Sequence, residues 1–226
     1  MNASHVLLDL DGTISDSSVG ITRSLQNAFS VCGYEPPTDE AVRQVIGPPF
    51  EQGLPMLGIP VGDVARVVRA YQVRYEDVGL FENTVYPGTA EMLDELAAAG
   101  HTLSIATAKP EHTARRIIDH FGFAHHFAVQ AGASADVGVG RRTKAEVIDH
   151  ALIQLRLMPS DLADVVMVGD RDHDVEGAHL NGIECIGVTW GFGSPDELSE
   201  AGAASLVDHP DGVAAAVLAT YRSVRP

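Results

Sequence analysis

The sequence predicts an α/β fold in which a doubly wound, mostly parallel sheet carries helices on both faces and is interrupted near its start by an all-helical insertion. Three observations carry this expectation. Short apolar runs recur at Val6-Leu7-Leu8, Leu103-Ser104-Ile105-Ala106, Phe127-Ala128-Val129, Val165-Val166-Met167-Val168 and Cys185-Ile186-Gly187-Val188, which reads as a set of buried strands. Segments with helical spacing separate them, and strands alternating with helices of that length imply parallel pairing through crossovers. By contrast, residues 16–83 show helical periods with no convincing strand. This gives a core from residues 1–15 and 84–226 and a helical cap from 16–83.

Taken in order, Val6 to Leu8 form a strand that ends at Asp9 and enters a loop through Asp11-Gly12. In the insertion, Ile21, Leu25 and Phe29 fall on one helical face behind Asp16 or Ser17 as cap. Val64, Val67, Val68, Tyr71 and Tyr75 do the same behind Asp63, and Gly33 with Pro36-Pro37 ends the first of these helices. Beyond Tyr86-Pro87-Gly88, Met92, Leu93 and Leu96 mark a helix ending at Gly100. Residues 110–121 form another, stopped by Gly122, and Val147, Ile148, Ala151, Leu152 and Leu155 a third. A helix after Asp172 ends near Gly182, and Ser194-Pro195-Asp196-Glu197 is a capping box with Pro at the first helical position.

The chain has 226 residues, 45% hydrophobic and 20% charged, enough for one large domain or a domain with an insertion. Its net charge of -16 argues against nucleic acid and anionic membranes as partners, which need clustered Lys and Arg. An anionic substrate would have to be attracted by a metal, a few placed cations and backbone N–H groups. Cys32 and Cys185 form no metal or disulfide pattern, and no apolar run reaches the length of a membrane span, so a cytoplasmic location is expected.

Polar positions directly follow three of the apolar runs: Asp9, Thr107 and Gly169-Asp170. In a parallel sheet all three emerge at one edge, where ligands of such folds bind. Asp9 and Asp11 are two apart, so an extended backbone turns both carboxylates to the same side. Asp170 and Asp174 are four apart and share one helical face. Alone, Asp11-Gly12 reads more readily as a surface turn, and Asp170 with Asp174 equally as a cap and a solvated face. Together the four carboxylates suit a hard divalent cation, and magnesium especially where substrate phosphate completes its shell.

These motifs resemble a known family. Val6-Leu7-Leu8-Asp9-Leu10-Asp11-Gly12-Thr13, the strand ending in Thr107, Lys144 before a helix, and Val168-Gly169-Asp170-Arg171-Asp172-His173-Asp174 are similar to the four signature motifs of haloacid dehalogenase-type phosphatases. The resemblance implies a Rossmann-like core, Asp9 as nucleophile, and Asp11 as general acid and then base. It also implies that Thr107, the Ala108 N–H and Lys144 hold the phosphoryl group. Magnesium is expected on Asp9, the Asp11 carbonyl and Asp170, with Asp174 as support or ligand. Lys144 would otherwise read as a surface lysine. The helical insertion would be a mobile cap hinged near residues 14–17 and 83–87.

Within the family, Gly47-Pro48-Pro49-Phe50, Arg74 and residues 75–83 resemble a nucleotidase-like subgroup of the phosphoglycolate phosphatase-like branch, making Phe50 and Arg74 candidate substrate contacts. A rigid turn and a surface ion pair are the plainer readings of Gly47-Pro48-Pro49 and Arg74. Arg171 replaces the small hydroxyl residue of many relatives, and the glycines of 133–140 leave the placing of Lys144 open. Residues 187–193 read as a glycine-rich turn. His173 borders the carboxylates, with exposure favoured over ligation. The expected substrate is a small phosphorylated metabolite: a nucleoside 5′-monophosphate or, alternatively, phosphoglycolate. A sugar phosphomutase, a dehalogenase and a non-catalytic phospho-receiver domain are the competing readings; the last has neither this length nor a cap.

Overall fold

The computed structural model describes residues 4–47, 50–134 and 140–224; Pro48, Pro49 and most of the glycine-rich stretch before Lys144 lie outside them. Two compact units result, one of Met1–Ser15 with Val85–Pro226 and one of Asp16–Thr84. The strands are β1 (His5–Leu8), β2 (Ser15–Asp16), β3 (Thr84–Val85), β4 (Thr102–Pro110), β5 (Phe127–Ala133), β6 (Val165–Gly169), β7 (Glu184–Val188) and β8 (Ser205–Val207). The helices are α1 (Ser18–Val31), α2 (Asp39–Arg43), α3 (Phe50–Met56), α4 (Val64–Asp77), α5 (Thr89–Ala98), α6 (Glu111–His120), α7 (Lys144–Gln154), α8 (Asp172–Leu180), α9 (Pro195–Glu200) and α10 (Val213–Val224). None of the described helices is long and apolar enough to cross a membrane.

Six strands form one sheet in the order β5-β4-β1-β6-β7-β8, and every neighbouring pair is parallel. The chain leaves β1 in one direction to β4 and β5, then returns past it to β6, β7 and β8. With right-handed crossovers, this reversal puts the helices of the two halves on opposite faces. Side-chain alternation serves both faces: Leu7 and Met167 join Val147, Ile148, Ala151, Val175 and Ala178 in one buried cluster, while their neighbours Val6, Leu8, Val166 and Val168 point the other way. The register pairs Leu8 with Ile105 and with Val168, so the residues that follow them, Asp9, Ala106 and Gly169, lie level across the sheet, with β4 running on to Pro110. That alignment brings the next residues of each strand to one edge.

Several elements differ in extent from their sequence signals. β4 runs on through Thr107, Ala108 and Lys109 because pairing with β5 continues, Thr107 opposite Gly132 and Pro110 opposite Ala133. β8 and α10 are not among the elements expected from the sequence. β8 has three residues with Leu206 outward, too short for a period; α10 does carry a signal, since Val213, Val217 and Tyr221 recur every four residues and are buried.

In the helical unit, Leu25, Ala28, Phe29, Val67, Val68, Tyr71 and Tyr75 are buried, as their spacing requires. The capping differs from expectation. Ser17 makes no side-chain cap, and Asp16 Oδ1 instead accepts the Ser18 N–H at 2.9 Å. Asp63 leaves α4 uncapped because its carboxylate goes to the Tyr34 hydroxyl and to Arg66. The short strands β2 and β3 pair with each other, a sheet too small for the sequence to show.

Candidate active site

The shared strand edge concentrates buried charge. Asp9 follows β1 and is 4% exposed; Asp170 follows β6 and Asp174 lies in the first turn of α8, both fully buried. Gly12 makes this approach possible. It has φ +86°, and a Cβ there would fall 2.1 Å from Asp170 Oδ2, so both backbone shape and space demand glycine. Among the described residues, Asp170 receives neutral donors: the Thr13 hydroxyl to Oδ1 at 3.3 Å and the Phe192 N–H to Oδ2 at 2.8 Å.

Lys144 opens α7, whose start is fixed by a capping box of Thr143 and Glu146. Its ammonium is buried, 2.9 Å from Asp9 Oδ1 and 2.7 Å from Asp174 Oδ1, and donates to the Ala106 carbonyl at 2.9 Å. Burial works against that charge, but Asp174 and Asp9 outweigh it and raise the Lys144 pKa. Asp174 is correspondingly low: burial opposes its ionisation, and Lys144 and His173 overcome it. Asp174 Oδ2 also accepts the Arg171 N–H at 3.1 Å, so both of its oxygens are engaged.

Thr107 is buried at the same edge, and its Oγ1 accepts the Lys109 N–H at 3.3 Å. Ala108 follows it, half-buried. Lys109 is a site residue that the sequence reading missed: its buried ammonium lies 2.9 Å from Asp11 Oδ2. The pairing of β4 with β5 shifts register between Thr107 and Pro110, so regular strand alternation does not announce it.

His173 needs correction. Instead of standing exposed on α8, its side chain is only 22% exposed, 3.5 Å from Asp172 Oδ1 and 3.9 Å from Asp174 Oδ1. Burial disfavours its charge, yet Asp174 and Asp172 raise its pKa. Phe50 and Arg74 belong to the helical unit. The Phe50 ring meets Tyr71 edge-on at 4.7 Å, and Tyr71 stacks on Tyr75 at 4.9 Å. Arg74 is held by both Glu82 oxygens, at 2.8 and 3.1 Å, and donates to Ser24 Oγ at 3.0 Å.

A family model described as haloacid dehalogenase-like hydrolase matches residues 6–188, which include every one of these core groups. The chain belongs to that hydrolase family. It is similar to the tyrosine-protein kinase PtkA of Mycobacterium tuberculosis, 42% identical over 84% of this chain but only 64% of PtkA's length. It is equally similar to a 5′-nucleotidase of Pseudomonas aeruginosa, 42% identical over 86% of each chain. Among solved structures, a predicted phosphatase from Clostridium acetobutylicum superposes with a TM-score of 0.89 at 33% identity, covering 96% of this chain and 99% of its own.

The residues of this site fit the divalent cation that the family implies. Three buried carboxylates, Asp9, Asp170 and Asp174, face one buried ammonium, Lys144. With Asp174 held by Lys144, the surplus negative charge rests on Asp9 and Asp170. Burial raises both, and Asp170 is pushed up to about 8 by burial together with Asp174 and Asp9. A divalent cation matches that surplus in sign and suits oxygen ligands of this kind. Oxygens of Asp9 and Asp174 and a ring nitrogen of His173 also lie within 4.8 Å of one another, but Lys144 already bridges those two carboxylates.

Proposed function

We propose that this hydrolase cleaves phosphate monoesters in two steps through phosphorylated Asp9, with magnesium held by Asp9, the Asp11 carbonyl and Asp170. The observation that carries this reading is Asp9, buried beside the Lys144 ammonium in a cluster whose carboxylates outnumber its cations. In the first step an Asp9 oxygen attacks phosphorus, the bond to the leaving oxygen breaks, and Asp11 protonates that oxygen. In the second, Asp11 takes a proton from water, the resulting hydroxide attacks phosphorus, and the Asp9 carboxylate leaves as inorganic phosphate forms. Thr107, the Ala108 N–H and Lys144 hold the phosphoryl oxygens, Asp174 keeps Lys144 in place, and Lys109 anchors the Asp11 carboxylate. Bound magnesium supplies the positive charge that lets a carboxylate approach an anionic phosphate.

The substrate we favour is a nucleoside 5′-monophosphate. It rests on the relative named 5′-nucleotidase, which is 42% identical, whereas a phosphoglycolate phosphatase of Agrobacterium fabrum is 28% identical. Phe50 and Arg74 are proposed contacts for the leaving group from the sequence; Arg74 would have to share a guanidinium already paired with Glu82. PtkA's name raises transfer to a protein tyrosine as a second outcome. A reducing cytoplasm suits the free Cys32 and Cys185, and we place the protein there.

Purified protein assayed with magnesium against a panel of phosphate monoesters tests this reading. We expect phosphate release, with nucleoside 5′-monophosphates ahead of phosphoglycolate, abolition by chelator, recovery with magnesium and inhibition by calcium, whose looser coordination misplaces the attack. Activity undiminished after exhaustive chelation contradicts the metal assignment. Phosphoglycolate as best substrate contradicts the nucleotidase reading, and phosphate transfer from a nucleoside triphosphate to tyrosine without monoester hydrolysis favours the kinase.

A further inference from the structure

Asp170 is braced by a segment distant in sequence. After β7 the chain crosses the strand edge as Trp190-Gly191-Phe192-Gly193 and enters α9. The Phe192 N–H donates to Asp170 Oδ2 at 2.8 Å. The Trp190 indole N–H donates to the Thr13 carbonyl at 3.1 Å, and the Thr13 hydroxyl donates to the other Asp170 oxygen at 3.3 Å. Glu197 completes the brace. Its Oε1 accepts Arg171 Nε–H at 2.7 Å and the Asp172 N–H at 3.0 Å, one residue and two residues beyond Asp170.

The sequence pattern around these contacts follows from them. A Cβ on Gly191 would lie 2.4 Å from Asp170 Cβ and Oδ2, and one on Gly193 would lie 2.0 Å from the Asp170 carbonyl. The glycines are therefore dictated by close approach to Asp170 rather than by a turn. Glu197 likewise departs from the capping box. Ser194 Oγ accepts the Glu197 N–H at 3.1 Å, but the Glu197 side chain points to Arg171 and Asp172 instead of returning to Ser194. Half of a cap is given up for two bonds to the loop that carries Asp170.

We propose that Glu197, with Trp190 and Phe192, is a positioning element that orients Asp170 for the metal. The inference rests on the magnesium reading above. Groups of this kind that hold a ligand's carrier in place change metal affinity by about 10-fold or more when removed.

Calorimetric titration of the full chain with magnesium, beside melting curves in chelator, tests it. E197A is expected to bind magnesium about 10-fold more weakly than wild type while melting cooperatively in chelator. E197Q, whose amide oxygen still accepts both N–H donors, should fall between the two. Unchanged affinity in E197A overturns the inference alone, whereas absence of magnesium binding by wild type removes both the inference and the metal reading. Should E197A fail to fold, W190F decides in its place. It keeps an aromatic ring but loses the indole N–H bond to Thr13, so weakened magnesium binding in a cooperatively melting variant supports the brace and unchanged binding overturns it.

Discussion

Asp9→Asn is expected to abolish hydrolysis of every phosphate monoester, by about 10⁴-fold or more, without unfolding the protein. An amide is a poor nucleophile and a poorer metal ligand, and no neighbouring carboxylate can replace it: Asp174 is engaged by Lys144 and the Arg171 N–H, and Asp11 by Lys109. The fold should tolerate the change, because it removes one of three buried carboxylates that share a single buried ammonium. Steady-state kinetics with melting curves in chelator check both halves. Turnover near that of wild type would contradict the role given to Asp9.

Lys144→Met is expected to be as damaging to activity and far more damaging to stability. Methionine fills similar space but leaves Asp9 Oδ1, Asp174 Oδ1 and the Ala106 carbonyl without the ammonium that joins them. Removing one partner of a buried ion pair costs about 3–5 kcal/mol, and here the stranded partners are like charges. Denaturant midpoints measured in chelator should show that loss, and added magnesium should offset part of it by binding the folded state. A loss below about 1 kcal/mol, the value of an exposed pair, would mean that Lys144 is not the charge that holds this cluster.

The sheet was legible because its strands are buried on both faces and read as apolar runs. Val6 to Leu8 and Val165 to Val168 announce β1 and β6, and their alignment explains why Asp9 and Asp170 share an edge. β8 and the paired β2 and β3 were not legible, being two or three residues long. Lys144 could be singled out only by family resemblance; its contacts with Asp9 and Asp174 cross more than a hundred and about thirty residues of sequence respectively, and no local pattern encodes them. Lys109 was not legible either, because it lies where the β4 register shifts between Thr107 and Pro110. Glu197 was seen, but as a cap, because the local pattern Ser194-Pro195-Asp196-Glu197 is complete without Arg171. His173 was expected outside because helix spacing alone does not show that α8 packs against β6 and β7.

The covalent intermediate is the center of this account, and trapping it is the most direct test. Asp11→Asn removes the group that activates water for the second step, so phosphorylated Asp9 should accumulate when this variant meets a reactive phosphate monoester with magnesium. Acid quench, intact-mass measurement and peptide mapping would then report one added phosphoryl group, carried by the peptide containing Asp9 and absent from Asp9→Asn. Phosphate released with no adduct in any variant, or an adduct mapped to another residue, would contradict the mechanism.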